Sequence, residues 1–171
     1  IVSDTAALHG LIADLLATGA NIHALRDPTR GGLATTLNEI ARQSGVGMML
    51  QEKALPISLP VAAACEFLGL DPLYVANEGK LVAICAQNDA EKLLTAMRSH
   101  PLGRRAAVIG SVHDDPQQFV EVPAGAHRIG QMQLDAFVRP DHEDGSHGGV
   151  VRRGAAVRSA GRIGGQHIVE L

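Results

Sequence analysis

The chain has 171 residues and 17.9 kDa, and its 46% hydrophobic content with 2% aromatics and no Trp allows one domain core built from Leu, Val, Ile and Ala. A formal net charge of -3 and a pI near 6.2 give no basic field, which argues against nucleic acid as the main partner. No run approaches the about 18 consecutive apolar residues of a membrane span and no signal-peptide pattern is present, so no membrane partner is expected and the expected setting is cytoplasmic.

Ile1-Val2-Ser3-Asp4 opens the chain without Met and close to a helix start, so the chain is expected to be cut from a longer protein. Ser3, Asp4 or Thr5 is expected to cap that helix, whose Leu8, Leu11, Ile12, Leu15 and Leu16 form one apolar stripe ended by Gly19. Residues 22–25 read as a short strand feeding the loop Arg26-Asp27-Pro28-Thr29-Arg30-Gly31-Gly32. Pro28 fixes its own φ and drives Asp27 out of helical conformation, while Gly31 and Gly32 permit close backbone approach by a ligand. Leu33, Leu37, Ile40 and Ala41 share one face of a second helix that stops at Ser44-Gly45, which places the loop at a helix N-terminus.

Residues 46–50 suit a strand, and 56–60 an extended connector in which Ser58 and Pro60 start a third helix closed by Gly69. Residues 81–86 are continuously apolar, as in a strand covered on both faces, with Asn77-Glu78-Gly79-Lys80 at its entrance. Asn88 and Glu91 predict a capping box for a fourth helix carrying Leu93, Leu94 and Met97, stopped by His100-Pro101. Residues 106–112 and 119–122 read as the last two strands, paired as a hairpin. From about Phe137 the composition turns to Gly, His and Arg without a period, which predicts a domain over 1–135 and a disordered or partner-dependent tail over 136–171. Mixed strands and amphipathic helices suggest an α/β or α+β domain, a layered mixed sheet with helices, and no internal repeat is present. Cys65 and Cys85 sit in apolar runs without metal-type companions and read as buried free thiols.

Two stretches carry chemistry. N–H groups at the start of the second helix suit phosphate oxygens, with Arg26 or Arg30 adding bidentate contacts and Thr29 a hydroxyl. Asp27 fits a Mg²⁺ ligand or a partner fixing one arginine; equally, an Asp27–Arg30 pair could simply brace a tight turn. In the second stretch Glu78, set in an apolar neighbourhood, could act as general base, with Asn77 orienting a polar substrate and Gly79 giving backbone access. A polar β-turn with a surface Glu78/Lys80 pair is the alternative. His142 and His147 lie among Asp141, Glu143 and Asp144, where adventitious metal binding is conceivable but no dedicated metal site is expected.

These two blocks, with Ala54-Leu55-Pro56, Phe67-Leu68-Gly69-Leu70-Asp71-Pro72-Leu73 and Ser99-His100-Pro101-Leu102-Gly103, closely resemble the C-terminal domain of the HypE carbamoyl dehydratases of [NiFe]-hydrogenase maturation. That family belongs to the aminoimidazole ribonucleotide synthetase (PurM-like) superfamily, and the resemblance covers about residues 1–130. It implies a layered, partly ferredoxin-like domain that closes a cleft over ATP and Mg²⁺, most of whose ligands come from an N-terminal domain that also forms a homodimer. It further implies phosphorylation of a carbamoyl oxygen on a C-terminal cysteine, then loss of phosphate to leave a thiocyanate. The implied partners are the carbamoyltransferase HypF and the iron scaffold HypC-HypD. The family ends in Pro-Arg-Ile-Cys, whereas this chain runs from Val138-Arg139-Pro140 to Leu171 without cysteine, so the chain alone is expected to be inactive. The alternatives are a selenophosphate synthetase-like phosphotransferase and a non-enzymatic docking module for maturation partners.

Overall fold

Strand residues alternate between two apolar faces, so the chain builds one mixed sheet with a helical layer on each side. The structure is a computed structural model that describes residues 3–122, 127–128 and 166–170. The elements are α1 (His9–Ala17), β1 (Ile22–Arg26), α2 (Gly32–Ser44), β2 (Gly47–Leu50), α3 (Leu59–Leu68), β3 (Val82–Ala86), α4 (Ala90–Ser99), β4 (Ala107–His113), β5 (Val120–Val122), β6 (His127–Arg128) and β7 (Gln166–Glu170). The sheet order is β1-β3-β7-β4-β2-β5-β6, and every pair is antiparallel except β2–β5.

The period of two in the strands assigns each residue to a layer. Val82 and Ile84 of β3, Met48 and Leu50 of β2 and Ile168 of β7 pack beneath α2 with Leu33, Leu37 and Ile40. Ala83, Cys85 and Val169 face the other way, against Leu11 and Leu15 of α1 and Leu93, Leu94 and Met97 of α4. This is the layered mixed sheet with helices that the sequence leads one to expect. Cys65 and Cys85 are buried free thiols, and burial, aided by Asp89, pushes the Cys85 thiol up to about 11. No helix among the described residues is long and apolar enough to cross a membrane.

Four expectations are corrected. Ser3, Asp4 and Thr5 do not cap α1, which starts at His9 without a side-chain cap; the backbone of Asp4 to Ala6 packs on Gly79 instead, so the chain cannot coil there. The Asn88–Glu91 capping box does not form: Asn88 lies in a 3-10 turn, and Asp89, at the N-cap position, accepts the Asn21 N–H at 2.9 Å. β4 and β5 are not a hairpin. Asp115 accepts the N–H groups of Gln117 and Phe119, both at 2.9 Å, and this turn carries the chain past β2 so that β5 pairs parallel to β2 on its far side.

The fourth correction is the largest. Within the expected 136–171 tail, Gln166–Glu170 are a strand, and that strand occupies the middle of the sheet between β3 and β4. The remainder of that expected tail, with His142 and His147, and the 135/136 boundary lie outside the described residues. Because Ile168 and Val169 are fully buried in opposite layers, Ile168→Ala is expected to cost about 2–5 kcal/mol in denaturant unfolding. Phe67→Ala, at a side chain 89% exposed, is expected to change stability by less than about 0.5 kcal/mol.

Candidate functional site

The end of β1 delivers the chain into the arginine-rich loop, and α2 takes it up again. Gly31 and Gly32 have φ of 68° and 64°, a region that side chains disfavour. Space adds a second reason: a Cβ on Gly32 would overlap the Leu73 carbonyl and the backbone of Tyr74 and Val75. Gly31 is the N-cap of α2 and offers no side chain, so the first-turn N–H groups have no side-chain cap.

The Thr29 hydroxyl donates to Asp27 at 2.6 Å, and Arg26 pairs with Glu39 of α2 at 2.9 Å. The Thr29 bond, then a backbone bond and Arg26, hold the Asp27 carboxyl below the usual carboxylate range against a small opposing effect of burial, so it is charged at neutral pH. The bracing pair foreseen between Asp27 and Arg30 is thus replaced by Asp27 with Thr29 and Arg26 with Glu39. Arg30 is exposed. Both Arg26 and Glu39 are well exposed, so their pair orients the arginine and adds little stability.

The second stretch reaches the first through the main chain. The Asn77 N–H donates to the Pro28 carbonyl at 3.0 Å, and the Asn77 side chain donates to the Val75 carbonyl at 2.7 Å. The Asn77 side chain therefore shapes its own loop, and its backbone joins the two loops. Gly79 is buried where a Cβ would overlap the Asp4 carbonyl. Glu78 is exposed rather than set in an apolar neighbourhood.

Beside this junction lies a cleft of about 690 Å³. Asn77, Gly79 and Lys80 line it, as do Leu33, Arg104 and Arg105, while Arg26 to Gly32 and Glu78 do not. Arg105 is fixed by donating to the Pro56 carbonyl at 2.9 Å.

The cleft also receives a residue that sequence reasoning missed. Glu170, at the end of β7, is 4% exposed, and its Oε2 has no hydrogen-bond partner. Burial pushes its carboxyl up to about 7, opposed by Lys80. The sequence held no signal for it beyond the short apolar step Ile168-Val169 in an otherwise aperiodic stretch. Among the described residues no three His, Cys, Asp or Glu side chains gather as a metal site.

A carboxyl whose folded pKa lies above its unfolded value costs stability as pH rises between the two. For Glu170 that window runs from about 4.5 to about 7, and the cost saturates near 3 kcal/mol, to order of magnitude. Glu170→Gln is therefore expected to melt several degrees above the parent at about pH 8 and nearly level with it at about pH 4.5. Thermal unfolding at the two pH values checks this; a gap independent of pH would contradict it.

A family model described as AIR synthase related protein, C-terminal domain, matches residues 2–123. Carbamoyl dehydratase HypE of Azotobacter vinelandii is 64% identical over 131 residues, covering 75% of this chain and 38% of that protein. Carbamoyl dehydratase HypE of Cupriavidus necator is 66% identical over 122 residues, covering 71% of this chain and 35% of that one. The chain thus spans a little over a third of the length of these curated relatives. Among solved structures, a HypE–HypF complex superposes with TM-score 0.70 at 45% identity, covering 75% of this chain and 42% of that one. HypE in complex with ATP superposes with TM-score 0.69 at 44% identity, covering 75% of this chain and 41% of that one.

Proposed function

The chain belongs to the family of AIR synthase related C-terminal domains, and from that membership we propose that it serves as one wall of the active cleft of a HypE-type carbamoyl dehydratase in hydrogenase maturation. The observation that carries this reading is the 3.0 Å bond from the Asn77 N–H to the Pro28 carbonyl, which joins the Arg26 to Gly32 loop to the loop carrying Glu78. The 64% identity to a relative named for that activity supports it, as does a structural neighbour solved with ATP.

The chemistry asks two things of this wall. The oxygen of a protein-bound thiocarbamate is a poor leaving group, so it attacks the γ-phosphorus of ATP and ADP departs. The uncapped N–H groups at the start of α2 and the exposed Arg30 suit the phosphoryl oxygens, whereas Arg26 is already engaged by Glu39. Loss of one N–H proton on phosphorylation gives an imidate-type phosphate, and phosphate then leaves from carbon as the second N–H proton is taken up, giving thiocyanate; Glu78, exposed in this chain, is the acceptor of that second proton. Mg²⁺ would shield the ATP phosphates. Asp27, kept ionised, is a residue of this chain that could contribute to holding it, with further ligands and the homodimer contact assigned to the rest of the parent protein.

A docking role for the same domain has its own support. α3 leaves Leu59, Phe67 and Leu68 exposed, and Leu70 beyond it, an apolar surface fit to meet HypF, the HypC-HypD scaffold or the parent's other domain. A solved HypE–HypF complex among the neighbours favours HypF.

Residues 1–123 grafted in place of the matching part of the Azotobacter vinelandii relative test the catalytic reading. The chimera is expected to retain ATP-dependent thiocyanate formation within about tenfold of the relative. Glu78→Gln in it is expected to lower the dehydration rate by about 100-fold or more while leaving ATP affinity near its starting value. A chimera active with Glu78→Gln at full rate would reject Glu78 as the base. Loss of HypF capture by Phe67→Asp with full activity on pre-carbamoylated protein would place docking on α3. The chain by itself is expected to give no ATP turnover.

A further inference from the structure

The cleft of about 690 Å³ holds two opposite charges that do not satisfy each other. Glu170 is 4% exposed with its Oε2 unpartnered, and the half-buried Lys80 acts on it electrostatically without forming an ion pair with it. The other charged groups in the lining leave both as they are. Arg104 and Arg105 are exposed, the latter tethered to the Pro56 carbonyl at 2.9 Å, and Asp4 is exposed as well. Val82 and Ala107, which flank Glu170 across the sheet, are apolar and offer its carboxyl no side-chain partner.

The uncharged part of the lining is largely apolar. Leu33 is buried at the start of α2, and Leu55 and Leu73 pack partly buried against the same core. A cavity of this size, with a few polar groups converging over apolar walls, has the make-up of a small-molecule site. The charges restrict which molecule enters. A simple anion is drawn by Lys80 and repelled by Glu170 and Asp4, and a simple cation meets the reverse. A molecule carrying one charge of each sign satisfies both.

We propose that this cleft binds a free α-amino acid with an aliphatic side chain, its carboxylate on Lys80 and Arg104 and its ammonium on Glu170. The aliphatic group lies against Leu33, Leu55 and Leu73. Arg26 to Gly32 and Glu78 do not line the cleft, so this binding requires neither ATP nor the carbamoyl dehydratase reading. Glu170 makes the binding depend on pH. Burial pushes its carboxyl up to about 7, with Lys80 opposing, so the ionised form that accepts an ammonium is scarce near pH 6 and dominant near pH 8. A free aliphatic amino acid keeps both of its own charges through that interval.

The test is a titration of the ¹⁵N-labelled full chain with L-leucine, N-acetyl-L-leucine and L-leucinamide at about pH 7, followed by amide chemical shifts. Leucine is expected to move the Asn77, Gly79 and Lys80 amides, and each analogue, lacking one charge, to bind at least about tenfold more weakly. Equal binding by either analogue overturns the proposal, as do shifts confined to Phe67 and Leu68 of α3, or none at all up to about 10 mM ligand. From about pH 6 to about pH 8 the affinity for leucine is expected to rise about fivefold or more, following the ionised fraction of Glu170, and Glu170→Gln is expected to abolish the rise. An affinity that is flat or falls over this interval overturns the proposal, as does a rise that persists in Glu170→Gln. Lys80→Met is expected to weaken leucine at least about fivefold while leaving leucinamide unchanged, and an equal loss of both overturns it. If either variant fails to fold, the three-ligand comparison on the unaltered chain still decides.

Discussion

The double-sided pairing of β7 is the constraint on which the rest of the structure depends. A strand with neighbours on both edges and helices over both faces has no tolerance for a slip, because moving it by one residue would swap Ile168 and Val169 between layers. Fixing β7 fixes the spacing of β3 and β4. Through β3 it fixes β1, whose end launches the arginine-rich loop, and through β4 it fixes β2, on whose far side β5 lies. Both helical layers therefore take their position from one five-residue segment.

The candidate site is a product of that frame. β1 and β3 are adjacent and antiparallel, with Arg26 opposite Val82, so the loop leaving β1 and the loop entering β3 emerge at the same end of the sheet. Their meeting through Asn77 and Pro28 follows from topology, and the glycines follow from the closeness of the meeting. Gly32 admits the backbone of residues 73–75 and Gly79 that of Asp4, so neither position has room for a side chain. The cleft beside the junction has mixed character, with cationic Lys80, Arg104 and Arg105, acidic Asp4 and Glu170, and apolar Leu33, Leu55 and Leu73 in its lining.

Elements with a strong local signal were legible in the sequence. α2 shows a clean apolar face and a glycine stop, and β3 is a continuous apolar run; both appear within a residue or so of where the pattern places them. What the pattern could not supply was long-range. The start of α1 is decided by Asp4 packing on Gly79, and the role of Asp89 by an amide 68 positions away. The path of β5 is decided by the turn at Asp115, which looks like any polar connector in the sequence. β7 is the extreme case: Gln-His-Ile-Val-Glu has too few residues for a period to emerge, and its burial comes from strands and helices far away in the chain. At the site, the two motif loops were legible as chemistry and their junction was not. Glu170 was invisible for the same reason as its strand.

The placement of β7 is most directly tested by nuclear Overhauser contacts in the isotopically labelled full chain. Ile168 is expected to show cross-strand contacts to both Ile84 and Gly110, and Val169 to both Ala83 and Val108. Direct contacts between β3 and β4, with none from residues 166–170 to either, would contradict the central strand and the frame built upon it.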